Sequence, residues 1–300
     1  MIEFKDITIE DREILNPYLL KNPYGNCDFS FTNIFIWRRT YQTKYAIVDG
    51  FLVLLSRGQN FLMPLGEGDL KAVIGKLIDH AKEKGIPFRM VAITPQMEQE
   101  LNEALKEQLV YLENRDWSDY IYLTQDLIYL KGKKYHSKRN HINKFSADYD
   151  FEFIELTKDD IPACKKMHKL WCEENYSVDD EEEMGEVFAV RQALDHFEEL
   201  GLQGGAIVVD GEMVAFTLGQ PVNADTFDII IEKALSEYAT AYTVINRCFA
   251  HRKCSRYTYI NREEDLGLDG LRRAKLSYHP VCILDKKIAV LKEQQEREAK

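Results

Sequence analysis

The residues best suited to chemistry lie between Asn261 and Pro280, in the stretch NREEDLGLDGLRRAKLSYHP. Acyl transfer to an amine needs a deprotonated nucleophile, donors for the developing oxyanion and a proton for the leaving group. Glu263 or Asp265 can orient or deprotonate an amine. Arg272, Arg273 and Lys275 can hold phosphate, and Ser277, Tyr278 or His279 can donate a proton. The stretch follows the apolar-alternating run Tyr257–Ile260, so it reads as a strand end, a loop and a helix stopping at His279-Pro280. Polar groups at the carboxyl end of a strand usually line a site, because sheets open to ligands there. A plainer reading competes at each position: Glu264 capping a helix, Arg272 and Arg273 facing water, His279 closing a C-terminus. The cluster as a whole favours a site.

A second candidate is Lys131-Gly-Lys-Lys-Tyr-His-Ser-Lys-Arg-Asn-His-Ile-Asn-Lys144, with six Lys or Arg, two His and no acid. Read as a helix from Lys133, it turns Tyr135, Ile142 and Phe145 toward protein. Lys134, Lys138 and His141 then share another face. Such a strip suits phosphates, and Arg139 adds a bidentate fork. The competing reading is a solvated linker helix. A third feature, Glu173–Glu186, holds eight acids and no base. It could attract a cationic acceptor, but a helix beginning over Ser177 and Asp179–Glu183 accounts for it better, since negative charge complements the helix dipole.

These segments must be positioned by a soluble α/β frame. The chain has 300 residues, 45% hydrophobic and 30% charged, with a formal charge of −11. That length allows one large or two ordinary domains. An acidic surface excludes general adhesion to nucleic acid, so any polyanion must bind at a local basic patch. No targeting signal and no membrane-length apolar run is present, which predicts a cytoplasmic protein. The six cysteines contain no CxxC pair, so reduced thiols are expected and a metal site is not.

Hydrophobic periodicity predicts helices after Thr8 and over Phe31–Tyr41, then strands at Tyr45–Val48, Phe51–Leu55 and Phe61–Met63. An amphipathic helix over Gly68–Lys84 follows, ended by Gly85. Next come a strand at Phe88–Ile93, a helix from Pro95 to about Gln108, and strands at Leu109–Glu113 and Tyr120–Leu123. The aromatic-rich Trp117–Tyr129 region reads as core and a domain seam. The second half repeats the plan, with a strand at Phe151–Leu156 and helices at Ile161–Glu174 and Glu181–Leu200. A hairpin spans Ala206–Val209 and Met213–Leu218, and an apolar run covers Phe227–Ile231. A helix at Ala239–His251, the strand Tyr257–Ile260, the helix Gly270–Leu276 and the strand Val281–Leu284 complete it. Trp171 is expected in the core. Val48-Asp49-Gly50 and Val209-Asp210-Gly211 mark matching turns, and the shared order points to a duplicated unit. The expected divisions are 1–130, 131–285 and a charged, Gln-rich tail at 286–300 that frays.

The segments Leu130–Phe145 and Asn261–Pro280 resemble two signatures of a bacterial family related to the cytosolic C-terminal domain of phosphatidylglycerol lysyltransferase. The resemblance spans nearly the whole chain. It implies two GNAT-like acyltransferase domains in tandem, α/β with mixed sheets flanked by helices, and similarity to Fem-type peptidyltransferases that use aminoacyl-tRNA. It implies that Lys133, Lys134, Lys138 and Arg139 contact tRNA or phosphate. It also implies that Asn261, Arg262, Glu263, Asp265, Arg272, Lys275 and His279 line the transfer site. Two departures bear on this. The chain lacks the membrane-spanning flippase half, so a lipid acceptor is not implied. At Lys233–Tyr242 it also lacks the glycine-rich pyrophosphate loop of ordinary GNAT enzymes, which speaks against acetyl-CoA.

The sequence thus leads to an acyl- or aminoacyltransferase with aminoacyl-tRNA as donor and no firmly implied cofactor. The acceptor is an amine or hydroxyl on a small molecule, peptide or lipid headgroup. An acyl-CoA-dependent N-acyltransferase and a non-catalytic module that kept the fold are the alternatives.

Overall fold

The computed structural model describes residues 2–106, 108–176 and 181–294, without the side chains of 181–184. The chain forms two compact units. The first holds Met1–Asp119, Glu264–Leu268 and Ile283–Lys300; the second holds Tyr120–Glu263 and Asp269–Cys282.

The first unit begins with β1 (Lys5–Asp6), α1 (Arg12–Leu19), α2 (Phe31–Ile36) and α3 (Arg38–Tyr41). Ser30 starts α2 by accepting a hydrogen bond from the Asn33 amide, which satisfies one of the helix's free N–H groups. β2 (Lys44–Val48) and β3 (Phe51–Ser56) join through Asp49 and Gly50, both at positive φ, the conformation a tight hairpin turn requires. β4 (Asn60–Phe61), α4 (Leu70–Lys84), β5 (Arg89–Ile93), α5 (Pro95–Leu105) and β6 (Leu109–Glu113) follow. α4 runs from an Asp69 cap to Gly85 at positive φ, and buries Val73, Ile74, Leu77 and Ala81 along one face.

The second unit starts with β7 (Asp119–Leu123), α6 (Thr124–Tyr129), α7 (His136–Asp148), β8 (Phe151–Glu155), α8 (Ile161–Asn175) and α9 (Glu181–Asp195). β9 (Gln203–Val209), β10 (Glu212–Pro221), β11 (Thr226–Ala234), α10 (Ala241–Lys253), β12 (Tyr259–Asn261) and α11 (Asp269–Leu276) continue it. β13 (Cys282–Leu284) and β14 (Lys287–Leu291) end the described chain. The Asp210-Gly211 turn repeats the positive-φ pair of Asp49-Gly50.

The two sheets have one plan. Their orders are β1-β2-β3-β4-β5-β14-β6 and β8-β9-β10-β11-β12-β7-β13. The parallel step falls at the same place in each, between β4 and β5 and between β11 and β12. The duplicated α/β unit expected from the shared order is therefore present.

Three expectations change. The sixth position of each sheet is filled out of sequence order, by β14 in the first and by β7 in the second. The change of unit accordingly comes at Asp119/Tyr120, not at 130/131, because β7 pairs with β12. The tail expected from Lys286 instead supplies β14, paired on one side with β5 and on the other with β6. Its short apolar run Ile288-Ala289-Val290-Leu291 is a strand pattern masked by the charge on both flanks, and Ala289 is fully buried. Thr124–Tyr129 forms the short helix α6 and buries Thr124, Leu127 and Ile128, in keeping with the expected core. Within the acidic run, Ser177, Asp179 and Asp180 lie outside the described residues, and α9 begins at Glu181.

Candidate functional site

In the second unit, charge gathers around the C-terminal end of β12. Arg262 follows the strand directly and donates from Nη2 to Glu232 Oε1 of β11 at 2.8 Å. Both side chains are nearly buried, 13% and 10% exposed, so the pair sits in a low-dielectric setting. Burial alone would lower the Arg262 pKa, but Glu232, Tyr122 and Tyr278 together outweigh it and hold the guanidinium charged. Asn246 of α10 donates to the other Glu232 oxygen at 3.2 Å. Arg262 Nη1 is buried without a hydrogen-bond partner among the described residues.

Tyr278, buried after α11, ties the cluster together. Lys138 Nζ lies 3.7 Å from its ring centre and the Arg262 guanidinium carbon 4.9 Å away. Burial pushes the Tyr278 phenol up, and the neighbouring Arg262 charge partly counters it. Burial and the neighbouring Arg262 charge lower the Lys138 ammonium to about 8. His141, on the same face of α7, approaches Thr243 Oγ1 at 3.4 Å. The arrangement offers a buried N–H donor beside a lysine that can hold or release a proton near neutrality. Those are the parts an acyl-transfer site needs.

A second ion pair, with Lys233 buried and Glu186 half-buried, lies on the same unit. Lys233 Nζ sits 2.6 Å from Glu186 Oε1 and 3.6 Å from the Trp171 ring centre. Burial lowers the Lys233 pKa, with Glu186 opposing. Trp171 is thus a platform for an ammonium group as well as a packing residue.

The sequence-predicted residues divide. Lys138, Arg262 and Tyr278 come together as described. Asn261 is buried and turns its Oδ1 to the Glu263 amide at 2.7 Å. Glu263 is at positive φ and bonds backbone to backbone with Tyr120. Lys275 is buried and donates to the Arg262 carbonyl, so it braces the loop. Tyr122 donates to the Lys275 carbonyl at 2.8 Å. His279 stacks edge-on with Tyr135, its Nε2 3.3 Å from the Lys134 carbonyl. Lys134 pairs with Asp126 at 3.4 Å, Lys133 is exposed, and Arg272 is half-buried on α11. Arg139 directs Nη1 to the carbonyls of Leu130 and Gly132.

Asp265 goes elsewhere. Together with Glu264 it belongs to the first unit, where it is fully buried, accepts from the Gly267 amide at 2.9 Å and faces Arg115 at 3.5 Å. Those bonds close a turn at Gly267, whose φ is +76°. Glu264 joins a buried cluster that the sequence did not reveal. Lys286 Nζ lies 2.6 Å from Asp28, 2.6 Å from Asp119, 3.8 Å from Glu264 and 3.3 Å from Cys27 Sγ. Burial opposes the ammonium, but Asp119 and Asp28 lead a group of anions that raises its pKa well above the ordinary value. Burial and these carboxylates push the Cys27 thiol far up. The charged sequence around Lys286 predicts a fraying tail, and only the pairing of β14 brings Lys286 inside. Glu232, Thr243 and Asn246 were also missed, because they lie on β11 and α10, far in sequence from the segment whose Arg262 and Tyr278 they meet.

No helix among the described residues is long and apolar enough to cross a membrane. All six cysteines are free.

Known proteins share this architecture. A crystal structure of a conserved protein of unknown function from Bacteroides thetaiotaomicron VPI-5482 is 45% identical, superposes with a TM-score of 0.91, and covers 97% of this chain and 100% of its own. The L-PGS of Bacillus licheniformis has a TM-score of 0.65 at 17% identity, covering 94% and 92%. FemX has a TM-score of 0.57 at 9% identity, covering 99% of both chains. An uncharacterized protein of Mycoplasmoides gallisepticum is 24% identical over 171 residues, 56% of this chain; the chain spans about half its length, 54%. The fold is therefore the one these solved structures share, two GNAT-like α/β units in tandem. The family profile described as phosphatidylglycerol lysyltransferase, C-terminal, matches residues 22–289, and the chain belongs to that family.

Proposed function

We propose that the second unit transfers an aminoacyl group from aminoacyl-tRNA to an amine or hydroxyl acceptor in the cytoplasm. The observation that carries this reading is the buried, unpartnered Arg262 Nη1 beside Lys138, whose pKa is held at about 8. An aminoacyl ester is already activated, so catalysis rests on positioning and on donors for the oxyanion. The acceptor's nitrogen or oxygen bonds to the ester carbonyl carbon, and Arg262 Nη1 donates to the resulting oxyanion. The C–O bond to the ribose then breaks. The proton lost by the acceptor reaches the leaving ribose oxygen, with Lys138 as the relay.

The loop from β11 to α10 supports the choice of donor. Ser236 N–H, which could bind a pyrophosphate oxygen, donates to the Glu174 carboxylate at 2.8 Å. A carboxylate there repels a second anion, and Lys233–Ala241 contains no glycine to let a phosphate approach.

The test is incubation of the protein with radiolabelled aminoacyl-tRNA and a panel of amine, peptide and phosphatidylglycerol acceptors, with labelled acetyl-CoA in parallel. Label should move from tRNA to one acceptor class, and Lys138→Met and Arg262→Met should lower the rate by about 100-fold. Transfer from acetyl-CoA alone, or rates indifferent to both substitutions, would overturn the reading.

A further inference from the structure

Asn246 of α10 is 1% exposed, yet only half of its amide is used. Nδ2 donates to Glu232 Oε2 at 3.2 Å, and Oδ1 is buried without a hydrogen-bond partner among the described residues. This orientation follows from Glu232, since an ionised carboxylate only accepts and must be met by the NH2 side of the amide. A buried carbonyl oxygen left bare forfeits the hydrogen bond it had in water. Leu or Met would fill the same place without that penalty, beside Val244, Ile245 and Phe249 on a helix that is largely buried.

Arg262 mirrors Asn246. Its Nη2 donates to the other Glu232 oxygen at 2.8 Å, and Nη1 is the buried donor left over. One carboxylate thus anchors two unsatisfied atoms of opposite polarity, an N–H on one side and a carbonyl oxygen on the other. The setting is a strand end. β11 and β12 pair only over Thr226–Asp228 and Tyr259–Asn261, while β11 runs on to Ala234. Glu232 and Arg262 lie past the last paired residues, at the carboxyl ends where parallel strands admit ligands.

A ligand that satisfies both atoms carries an acceptor and a donor close together. A phosphate or carboxylate suits Nη1 but sets an anion against Asn246 Oδ1 and Glu232. A lone ammonium suits Oδ1 but leaves Nη1 bare and stands against the Arg262 charge. A simple acyl ester offers its carbonyl oxygen and no donor. An α-aminoacyl ester offers both, with the carbonyl oxygen and the amine on adjacent carbons.

We infer that Asn246 Oδ1 receives the α-amine of the donor's aminoacyl group while Arg262 Nη1 holds its ester carbonyl, so that the site selects acyl groups bearing an α-amine. The inference rests on the aminoacyl-transfer reading and adds to it the part of the donor that is recognised. Glu232 and Arg262 offset each other as charges, so the amine is read by its N–H. A site built around such a bond rejects the analogue without the N–H, because its own acceptor is then left bare.

The experiment is calorimetric titration of the full chain with two non-hydrolysable donor mimics, 3′-amino-3′-deoxyadenosine carrying an alanyl or a propionyl group in amide linkage. The two differ only in the α-amine. The alanyl compound should bind about 100-fold more tightly, and Asn246→Leu should bring the two affinities within about threefold. Asn246→Met, flexible enough to fit the same space, serves as a second variant. The ratio of affinities within one variant does not depend on how much of it is folded. Equal binding of the two compounds by the native chain is the result expected if a buried water bridges the two atoms, and it would overturn the inference. So would binding of neither compound, or a preference that survives both substitutions. Transfer from aminoacyl-tRNA without a preference for the α-amine removes the inference alone. Amine-selective binding without transfer leaves the selectivity standing while the transfer reading fails.

Discussion

Lys138 Nζ lies 3.7 Å from the centre of the Tyr278 ring, joining the basic helix α7 to the residue that closes the second signature segment. A cation over an aromatic face gains electrostatic attraction without needing a counter-ion. Lys138 is thereby drawn to a half-buried place where Arg262 is its charged neighbour, and both effects disfavour its proton.

Acylation by an amine-selective reagent should therefore mark Lys138 ahead of the other lysines. Its labelling should reach half-maximum near pH 8, where the group titrates, and exposed lysines should lag behind. Glu232→Gln should move that midpoint lower, since Glu232 favours the charged form. Peptide mass analysis across a pH series reads the result, and a Lys138 midpoint like that of surface lysines would contradict it.

The Arg262–Glu232 pair should be asymmetric to mutation. Removing Arg262 alone leaves a nearly buried carboxylate unpaired, which costs about 3–5 kcal/mol. Replacing both by Met and Leu should cost less than either single change, because no charge is left without a partner. Urea midpoints of the three variants measure the difference.

Lys286 should govern the alkaline limit of the first unit. Its raised pKa contributes stability that is complete below the unfolded value of 10.5 and is lost as pH climbs through the folded value. The buried Cys27 thiol acts in the same direction from 9.0 upward, because the folded state keeps a proton that the unfolded chain releases. Stability should fall between about pH 9 and about pH 11, and Cys27→Ala should delay the onset. Lys286→Met should cost about 3–5 kcal/mol near neutrality, since Asp119 is left buried without its cation. Denaturation midpoints across that pH range decide both points.

Two glycines should respond in opposite directions. A Cβ at Gly219 would lie 2.2 Å from the Asp228 carbonyl oxygen, backbone that cannot swing aside. This is the point where the β10–β11 register shifts. Gly219→Ala should destabilise by about 3 kcal/mol through overpacking. At Gly75 in α4 nothing lies within 4 Å, and Gly75→Ala should stabilise by about 0.5–1 kcal/mol. Thermal melting of the two variants tests the pair.

Local features were legible in the chain because they depend on near neighbours. Asp49-Gly50 and Asp210-Gly211 mark their hairpins, since few residue pairs tolerate two positive φ angles in succession. The spacing of Tyr135, Ile142 and Phe145 announced the buried face of α7, and all three are buried. What only tertiary structure decided is where distant polar residues meet. Asn261–Glu263 and Glu264–Leu268, adjacent in sequence, belong to different units. Cys27, Asp119, Glu264 and Lys286 come from four separate segments and share one buried cluster. No local pattern encodes such a meeting. Strand pairing chooses it, and each charge is tolerated inside because opposite charges from elsewhere in the chain arrive with it.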